Sequence, residues 1–275
     1  MKSSRLWFAL LPLAAASCQP KQSAAPTPGS SAPGVTADCK PFATVTDGAY
    51  RYENNTWGSD KAQGAWEQCL LERQVNGKTE RGWSWNFPGF DPSVFSYPEI
   101  IFGWKPWSGG PTSDPRFPLK VADVKTLRLH YEVETDASGN YNLAPEVWLT
   151  RTKGSGEANP KILSAEIMFW VESAGRARPA GSVIDKPTID GTTYELWKLD
   201  GAAGDGKSGT SWQLFSLKSP STVRKGTIPI DLVLKHFVAE GLVDAEHYVS
   251  SIEFGNEVTG GAGTTWIKHF DIETR

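Results

Sequence analysis

Several things are scarce in this 275-residue sequence, and each shortage closes off a class of function. Histidine occurs only four times, at His130, His236, His247 and His269, in no ligand pattern, so no metal and no cofactor is assigned. No basic block stands out: 28 Lys and Arg against 31 Asp and Glu leave a net charge of -3. Nucleic acid, whose affinity rests on clustered cations over phosphates, is therefore not an expected partner. No repeat period of the solenoid or propeller kind recurs. Long apolar runs are missing too, save for Leu6 to Ala16, which is too short to cross a bilayer as a permanent helix. Cysteine is limited to Cys18, Cys39 and Cys69.

The short apolar run sits in "MKSSRLWFALLPLAAASC", behind Lys2 and Arg5 and ahead of small residues, which is the layout of a targeting signal. The "AAASC" segment resembles a bacterial lipobox, with Ala15 where Leu is more usual. That resemblance implies a lipid on Cys18 as first residue of the mature chain; an ordinary signal peptide cut nearby is the alternative. Either reading exports the protein. The expected organisation is a signal peptide over 1–18, a flexible linker over 19–37 and one folded domain over 38–275. The linker is rich in Pro, Ser and Ala, with almost nothing to form a core. Gln19 stands where an Asp often retains lipoproteins on the inner membrane of a Gram-negative cell, so the expected location is the bacterial cell envelope, at the outer membrane or cell surface, with extracellular release the alternative. Membrane contact would run through the lipid alone, and a monomer is expected. In an exported chain the remaining even pair, Cys39 and Cys69, reads most simply as a disulfide.

What the chain has in plenty is tryptophan, twelve in all. A core has limited use for so many indole N–H groups, whereas a flat apolar ring matches the C–H face of a sugar. From Cys39 onward, strands and turns follow one another: "LRLHYEVET", "APEVWLT", "AEIMFWVE", "TYELWKL", "WQLFSL", "VSSIEFGNE" and "TWIKHFDIE". One segment breaks the period. "PIDLVLKHFVAEGL" puts Ile230, Val233, Leu234, Phe237 and Val238 on a helical stripe, with Asp231 to cap it and Gly241 to stop it. The expected fold is all-β, a two-sheet β-sandwich or jelly roll with a concave cleft and one short helix.

Strand alternation then sorts the charged strands. Ile167, Phe169 and Val171 share one face, Glu166, Met168 and Trp170 the other. Val147 and Leu149 oppose Glu146 and Trp148; Ile252 and Phe254 oppose Glu253, Gly255 and Glu257. Three strands thus turn carboxylates away from the core, two of them beside Trp. That outlines a carbohydrate cleft, and paired carboxylates are what glycosidic cleavage requires. A solvated polar face would give the same alternation.

In order along the chain, "YRYENNTWG", "SYPEIIFGW", "AEIMFWVESAGRARPAGS", "GTTYELWKL" and "SSIEFGNEVTGGAG" resemble glycoside hydrolase family 12. The resemblance implies a concanavalin-like jelly roll and a retaining endo-β-1,4-glucanase or xyloglucanase acting on β-glucan. Carried over by position, it implies Glu166 as nucleophile and Glu257 as general acid/base. Asn55, Trp57 and Trp170 would bind glucosyl units on the non-reducing side, with Trp148 a further substrate contact and Met168 under the reaction centre. Cys39 and Cys69 are placed like the family's N-terminal disulfide. Where the family has Asp beside the nucleophile, in a Tyr-Asp pair, this chain has Pro145-Glu146, so Glu146 is expected to support catalysis. Asn256 precedes Glu257 where Thr or Phe is more usual. Glu253, roughly 13 Å from Glu257 at strand rise, is expected at the cleft rim or in solvent. Trp83, Trp85, Trp104 and Trp107 stay unassigned. The competing reading is a non-catalytic surface glycan-binding lipoprotein; a structural protein with a Trp-rich core would leave the ordered motifs unexplained.

Overall fold

The computed structural model describes residues 34–199, 203–204 and 210–275. The signal segment, Cys18 and most of the expected linker lie outside the described residues. Two β-sheets face each other and share one strand. The first sheet runs Val35–Asp38, Glu67–Val75, Lys78–Phe87, Val258–Thr274, the first part of Leu127–Thr150, and Lys225–Pro229. The second runs Thr44–Asp47, Tyr50–Glu53, Glu99–Gly103, Tyr248–Gly255, the last part of Leu127–Thr150, Leu163–Trp170, Ser211–Lys218, Glu195–Lys198 and Ser182–Asp185. Every pairing among these strands is antiparallel except Leu163–Trp170 with Ser211–Lys218.

Two expectations change. The segment between "LRLHYEVET" and "APEVWLT" is full of turn residues, yet the 24 residues of Leu127–Thr150 form one continuous strand. Gly139 lies opposite Gly261, both at positive φ, and a Cβ on Gly139 would come within 2.5 Å of the Gly261 Cα. The glycines let two backbones cross at close range, so the strand passes from one sheet to the other without stopping. The fold also begins earlier than the expected boundary after residue 37. Val35–Asp38 already pairs with the edge of Glu67–Val75, because a free strand edge takes up any extended segment tied beside it. The tie is the disulfide between Cys39 and Cys69.

The core lies between the sheets. Ile167, Phe169, Val171, Val147, Leu149, Ile252 and Phe254 meet Trp83, Trp85, Phe87, Leu129 and Tyr131 in one cluster. Trp83 and Trp85 are therefore core residues, each fully buried large ring contributing roughly 2–3 kcal/mol by area. Trp104 is buried as well.

The helix spans Ile230–Ala239 and buries Ile230, Val233, Leu234 and Phe237, as the stripe requires. Asp231 falls inside the first turn, with Pro229 at the cap position, because the preceding strand runs straight into the helix. Its carboxylate favours the helix start there and lies 3.7 Å from Arg128. Gly241, at positive φ, ends the helix in a Schellman motif: its N–H bonds the Val238 carbonyl and the Leu242 N–H that of Phe237.

The disulfide closes a loop across a sequence separation of 30. Replacing both cysteines by Ala should cost about 3 kcal/mol, or roughly 6–12 °C in thermal midpoint, with strand content unchanged. Calorimetry with far-UV circular dichroism measures both; an unshifted midpoint would leave the bridge without a stabilising role.

Candidate active site

The face of the second sheet turned away from the core carries the charged residues picked out by alternation. Backbone register sets Trp148 opposite Glu166, Glu146 opposite Met168, and Glu253 opposite Glu146. Both faces of Leu163–Trp170 are buried, so the cleft floor is packed and shielded rather than washed by solvent.

Glu166, 7% exposed, accepts a hydrogen bond at Oε2 from the indole Nε1 of Trp212 at 2.7 Å. Trp212, Trp148 and Trp107 meet edge to face with centroids 5.3–5.5 Å apart and form a three-indole wall behind that carboxylate. Trp148 is buried in this wall, and its Nε1 has no partner among the described residues. It backs Glu166, with its ring edge to face against the other two. Met168 and Trp170 pack with Ala144 next along the strand, and Trp170 Nε1 points to the Met168 sulfur at 3.5 Å.

Glu257 is the more open carboxylate. Asn142 grips it twice: Nδ2 donates to Oε2 at 2.5 Å, and Oδ1 accepts from the Glu257 backbone N–H at 3.2 Å. Asn256 is buried beneath. It donates to the Asn142 carbonyl at 2.9 Å and accepts from Trp83 Nε1 and Thr265 Oγ1, both at 2.8 Å. Glu257 is thus moored to the core through two amides.

Trp57 is the one expected binder with an open ring, 51% exposed, with the Lys61 ammonium 4.8 Å from its centroid. Asn55 is buried; its Nδ2 donates to Glu99 at 2.8 Å, and its Oδ1 accepts from the Trp57 N–H at 3.3 Å. Glu253 does not reach solvent or the cleft rim. It is 1% exposed, accepts from Ser251 Oγ at 2.7 Å and joins Glu99, Glu53 and Lys105 in a buried cluster on that face. It is buried because its strand is central in the sheet, flanked on both sides.

The electrostatics follow from crowding. Burial raises the carboxyl pKa of Glu166, and the charge of Glu257 raises it further, while the Trp212 N–H works the other way. Burial also raises Glu257 against the opposing Asn142 bond. Glu146 is raised well above the ordinary range, first by burial, then by Glu166 and Glu257. Among the described residues, Cys39, Glu67 and Cys69 lie close enough to hold a metal, but the disulfide takes both sulfurs.

Trp212, Asn142, Glu99 and Lys105 are the residues that sequence reading passed over. Stepping by two from Glu146 through Ala144 reaches Asn142, and the same step links Trp212 to Leu214, so the alternation held that signal. Lys105, set between two Trp in "GWKPW", left none.

Comparison with known proteins decides the family. The sequence model of glycosyl hydrolase family 12 matches residues 48–274. The chain belongs to that family. It is 28% identical over 232 residues to Endoglucanase S of Pectobacterium parmentieri, covering 82% of each chain. It is 24% identical over 244 residues to the xyloglucan-specific endo-beta-1,4-glucanase A of Emericella nidulans, covering 85% of this chain and 89% of that one. A family 12 xyloglucanase structure from Bacillus licheniformis superposes with a TM-score of 0.77 at 30% identity, over 87% of this chain and all of that one. The jelly-roll expectation agrees with that neighbour.

The raised Glu146 pKa has a consequence for stability. A carboxyl that holds its proton more tightly when folded loses stability as pH rises from its unfolded value, about 4.3, through its folded one. Glu146→Gln should remove that part of the loss, so its unfolding free energy should fall less from about pH 4 to pH 8 than the wild type's. Urea titrations across that range measure the slope; identical slopes would mean an unperturbed Glu146.

Proposed function

We propose that this family 12 member is an endo-acting, retaining glycoside hydrolase that cleaves internal β-1,4-glucosidic bonds of glucan or xyloglucan. One observation carries the reading: Glu166 and Glu257 stand on the cleft face, electrostatically coupled, each held by its own N–H donor. In this reading Glu257 protonates the glycosidic oxygen while Glu166 attacks the anomeric carbon. The glycosyl-enzyme ester forms and the shortened glucan leaves. Glu257, now ionised, takes a proton from water, which attacks the same carbon and frees Glu166, so the anomeric configuration is retained. The Trp212 N–H holds one oxygen of Glu166 and leaves the other to attack. Glu146, kept protonated by burial and by the charges of Glu166 and Glu257, stands as a neutral acid beside the pair, and Met168 supplies an apolar floor. Trp57 offers a ring for a glucosyl unit, with Asn55 keeping one amide hydrogen for a sugar hydroxyl and Trp170 closing that side.

The names of its relatives, endoglucanase and xyloglucan-specific endoglucanase, support both substrate classes. Export, a lipid on Cys18 and a monomeric state are part of the same proposal and rest on the N-terminal sequence. Cys18→Ala should leave hydrolysis intact and release the protein from membranes, read by fractionation of cells making either form; equal membrane association would sink the anchor.

The mechanism is tested by the first product's anomeric configuration, followed by proton NMR. Wild type should give retention. Glu166→Ala should lose turnover and, with added azide, give an inverted glycosyl azide. Glu257→Ala should keep activity on a dinitrophenyl cellobioside, whose leaving group needs no proton, and azide there should give retention. The pH–rate profile should be a bell with both limbs above ordinary carboxylate values, since both groups are raised. Inversion by the wild type would overturn the assignment, because it needs carboxyl groups roughly 6.5–9.5 Å apart rather than about 5–5.5 Å.

A further inference from the structure

Beside the two principal carboxylates, on the same face of the second sheet, lies a buried charge cluster that the proposed chemistry does not use. Lys105 is 3% exposed at its side chain, and its ammonium sits 2.5 Å from Glu99 Oε1, 3.4 Å from Glu53 Oε1 and 3.9 Å from Glu253 Oε2. Burying an ammonium costs several kcal/mol, and removing one partner of such a group is strongly destabilising, so its position is tightly fixed. The carboxylates outnumber it. Burial raises the Glu99 carboxyl pKa well above the ordinary range, and Glu99 Oε2 has no donor among the described residues. Arg51, 3.6 Å from Glu53, balances the remaining charge from the cleft side.

The cluster is connected outward by one path on each side. Glu99 Oε1, pinned by Lys105, accepts the Asn55 amide at 2.8 Å, and Asn55 Oδ1 accepts the Trp57 backbone N–H at 3.3 Å. On the other side, the Lys105 carbonyl accepts the Gly109 N–H at 2.8 Å, and Arg51 donates to the Gly109 carbonyl at 3.2 Å and Ser108 Oγ at 2.9 Å. The turn so fixed carries Trp107 against Trp148 and Trp212. One buried ammonium therefore stands behind both the open Trp57 ring and the indole wall behind Glu166.

We propose that Lys105 and Glu99 are positioning residues for sugar binding: they orient Asn55, and through it the Trp57 platform, without touching substrate. The proposal rests on the reading of Asn55 and Trp57 as binders of the non-reducing side. An exposed indole held by one backbone bond has rotational freedom, and a fixed Asn55 lowers the entropy lost when a glucosyl unit settles on it. The loss of this network should appear in binding more than in the chemical step.

The test uses the full-length protein and four variants, Lys105→Met, Glu99→Leu, Glu99→Gln and Trp57→Ala, each checked for folding by circular dichroism. Two readouts are taken: KM and kcat on a soluble β-glucan, and the distribution of cut positions in reducing-end-labelled cellohexaose. Lys105→Met and Glu99→Leu should raise KM about tenfold, change kcat less, and shift the cut positions in the direction that Trp57→Ala shifts them. Glu99→Gln, which keeps the oxygen that Asn55 and Lys105 share, should recover most of the wild-type pattern. A Lys105→Met or Glu99→Leu protein that is folded and cuts at wild-type positions with wild-type KM, while Trp57→Ala shifts them, overturns the proposal. So does a kcat loss with no change in KM or pattern. If Lys105→Met does not fold, the Glu99→Leu and Glu99→Gln pair decides alone. If the wild type cuts no β-glucan, the hydrolase reading fails separately. Cellotetraose titrated calorimetrically into wild type and Glu99→Leu then decides this proposal, equal affinities overturning it and an affinity lower in the variant supporting it.

Discussion

Like charge held close together on a dry surface is the constraint on which this structure turns. Glu53, Glu99, Glu146, Glu166, Glu253 and Glu257 crowd one face of the second sheet, and Lys105 is the only cation buried among them in the described residues. At an effective dielectric of about 20, two unit charges about 4 Å apart repel by about 4 kcal/mol. That is a large fraction of a domain's net stability, commonly about 5–15 kcal/mol. The full set cannot ionise together. Some carboxyls stay protonated, and the raised pKa values of Glu99, Glu146, Glu166 and Glu257 are the direct expression of that.

What tolerates the strain is the other face of the same strands. Each residue that turns a carboxylate outward is flanked by one that buries an apolar side chain inward, as Glu166 is by Ile167 and Glu253 by Ile252 and Phe254. The apolar area gained opposes the electrostatic cost along the same backbone. The shared strand Leu127–Thr150 extends this coupling to both sheets, since it contributes Leu129 and Tyr131 to one and Glu146 and Val147 to the other. Stability and site are therefore two faces of the same strands, which is why a cleft so costly in charge can persist.

The same logic explains what sequence could and could not reveal. Period-two alternation exposed Glu146, Glu166, Glu253 and Glu257 because inward and outward residues differ in kind on those strands. It placed Trp83 and Trp85 on one face but could not say which, since an indole suits a core as well as a sugar site. It missed the run through Gly139, where close backbone approach, not a turn, demanded glycine. It also missed the solvent status of Glu253, because burial depends on neighbours brought in from Glu99–Gly103 and Leu127–Thr150, far away in the chain. Lys105 was unreadable for the same reason: its three carboxylate partners come from three different strands.

The two principal carboxylates are held by different means, and the difference suits the division of labour in the proposed mechanism. Glu166 is backed by three large rings and held by an indole N–H, a rigid and water-poor setting in which a carboxylate oxygen keeps one direction of attack. Glu257 is more open to solvent and gripped by an amide that can both donate and accept. A group that gives up a proton in one step and takes one from water in the next needs contact with water and a partner that keeps it placed in both states. Asn142 supplies that partner: its Nδ2 donates to the carboxylate and favours the ionised form, while its Oδ1 accepts the Glu257 backbone N–H whichever state the carboxyl is in. Exchanging the two surroundings would leave the nucleophile exposed to competing water and the acid/base cut off from its proton source, so the asymmetry of the walls is itself part of the site's design.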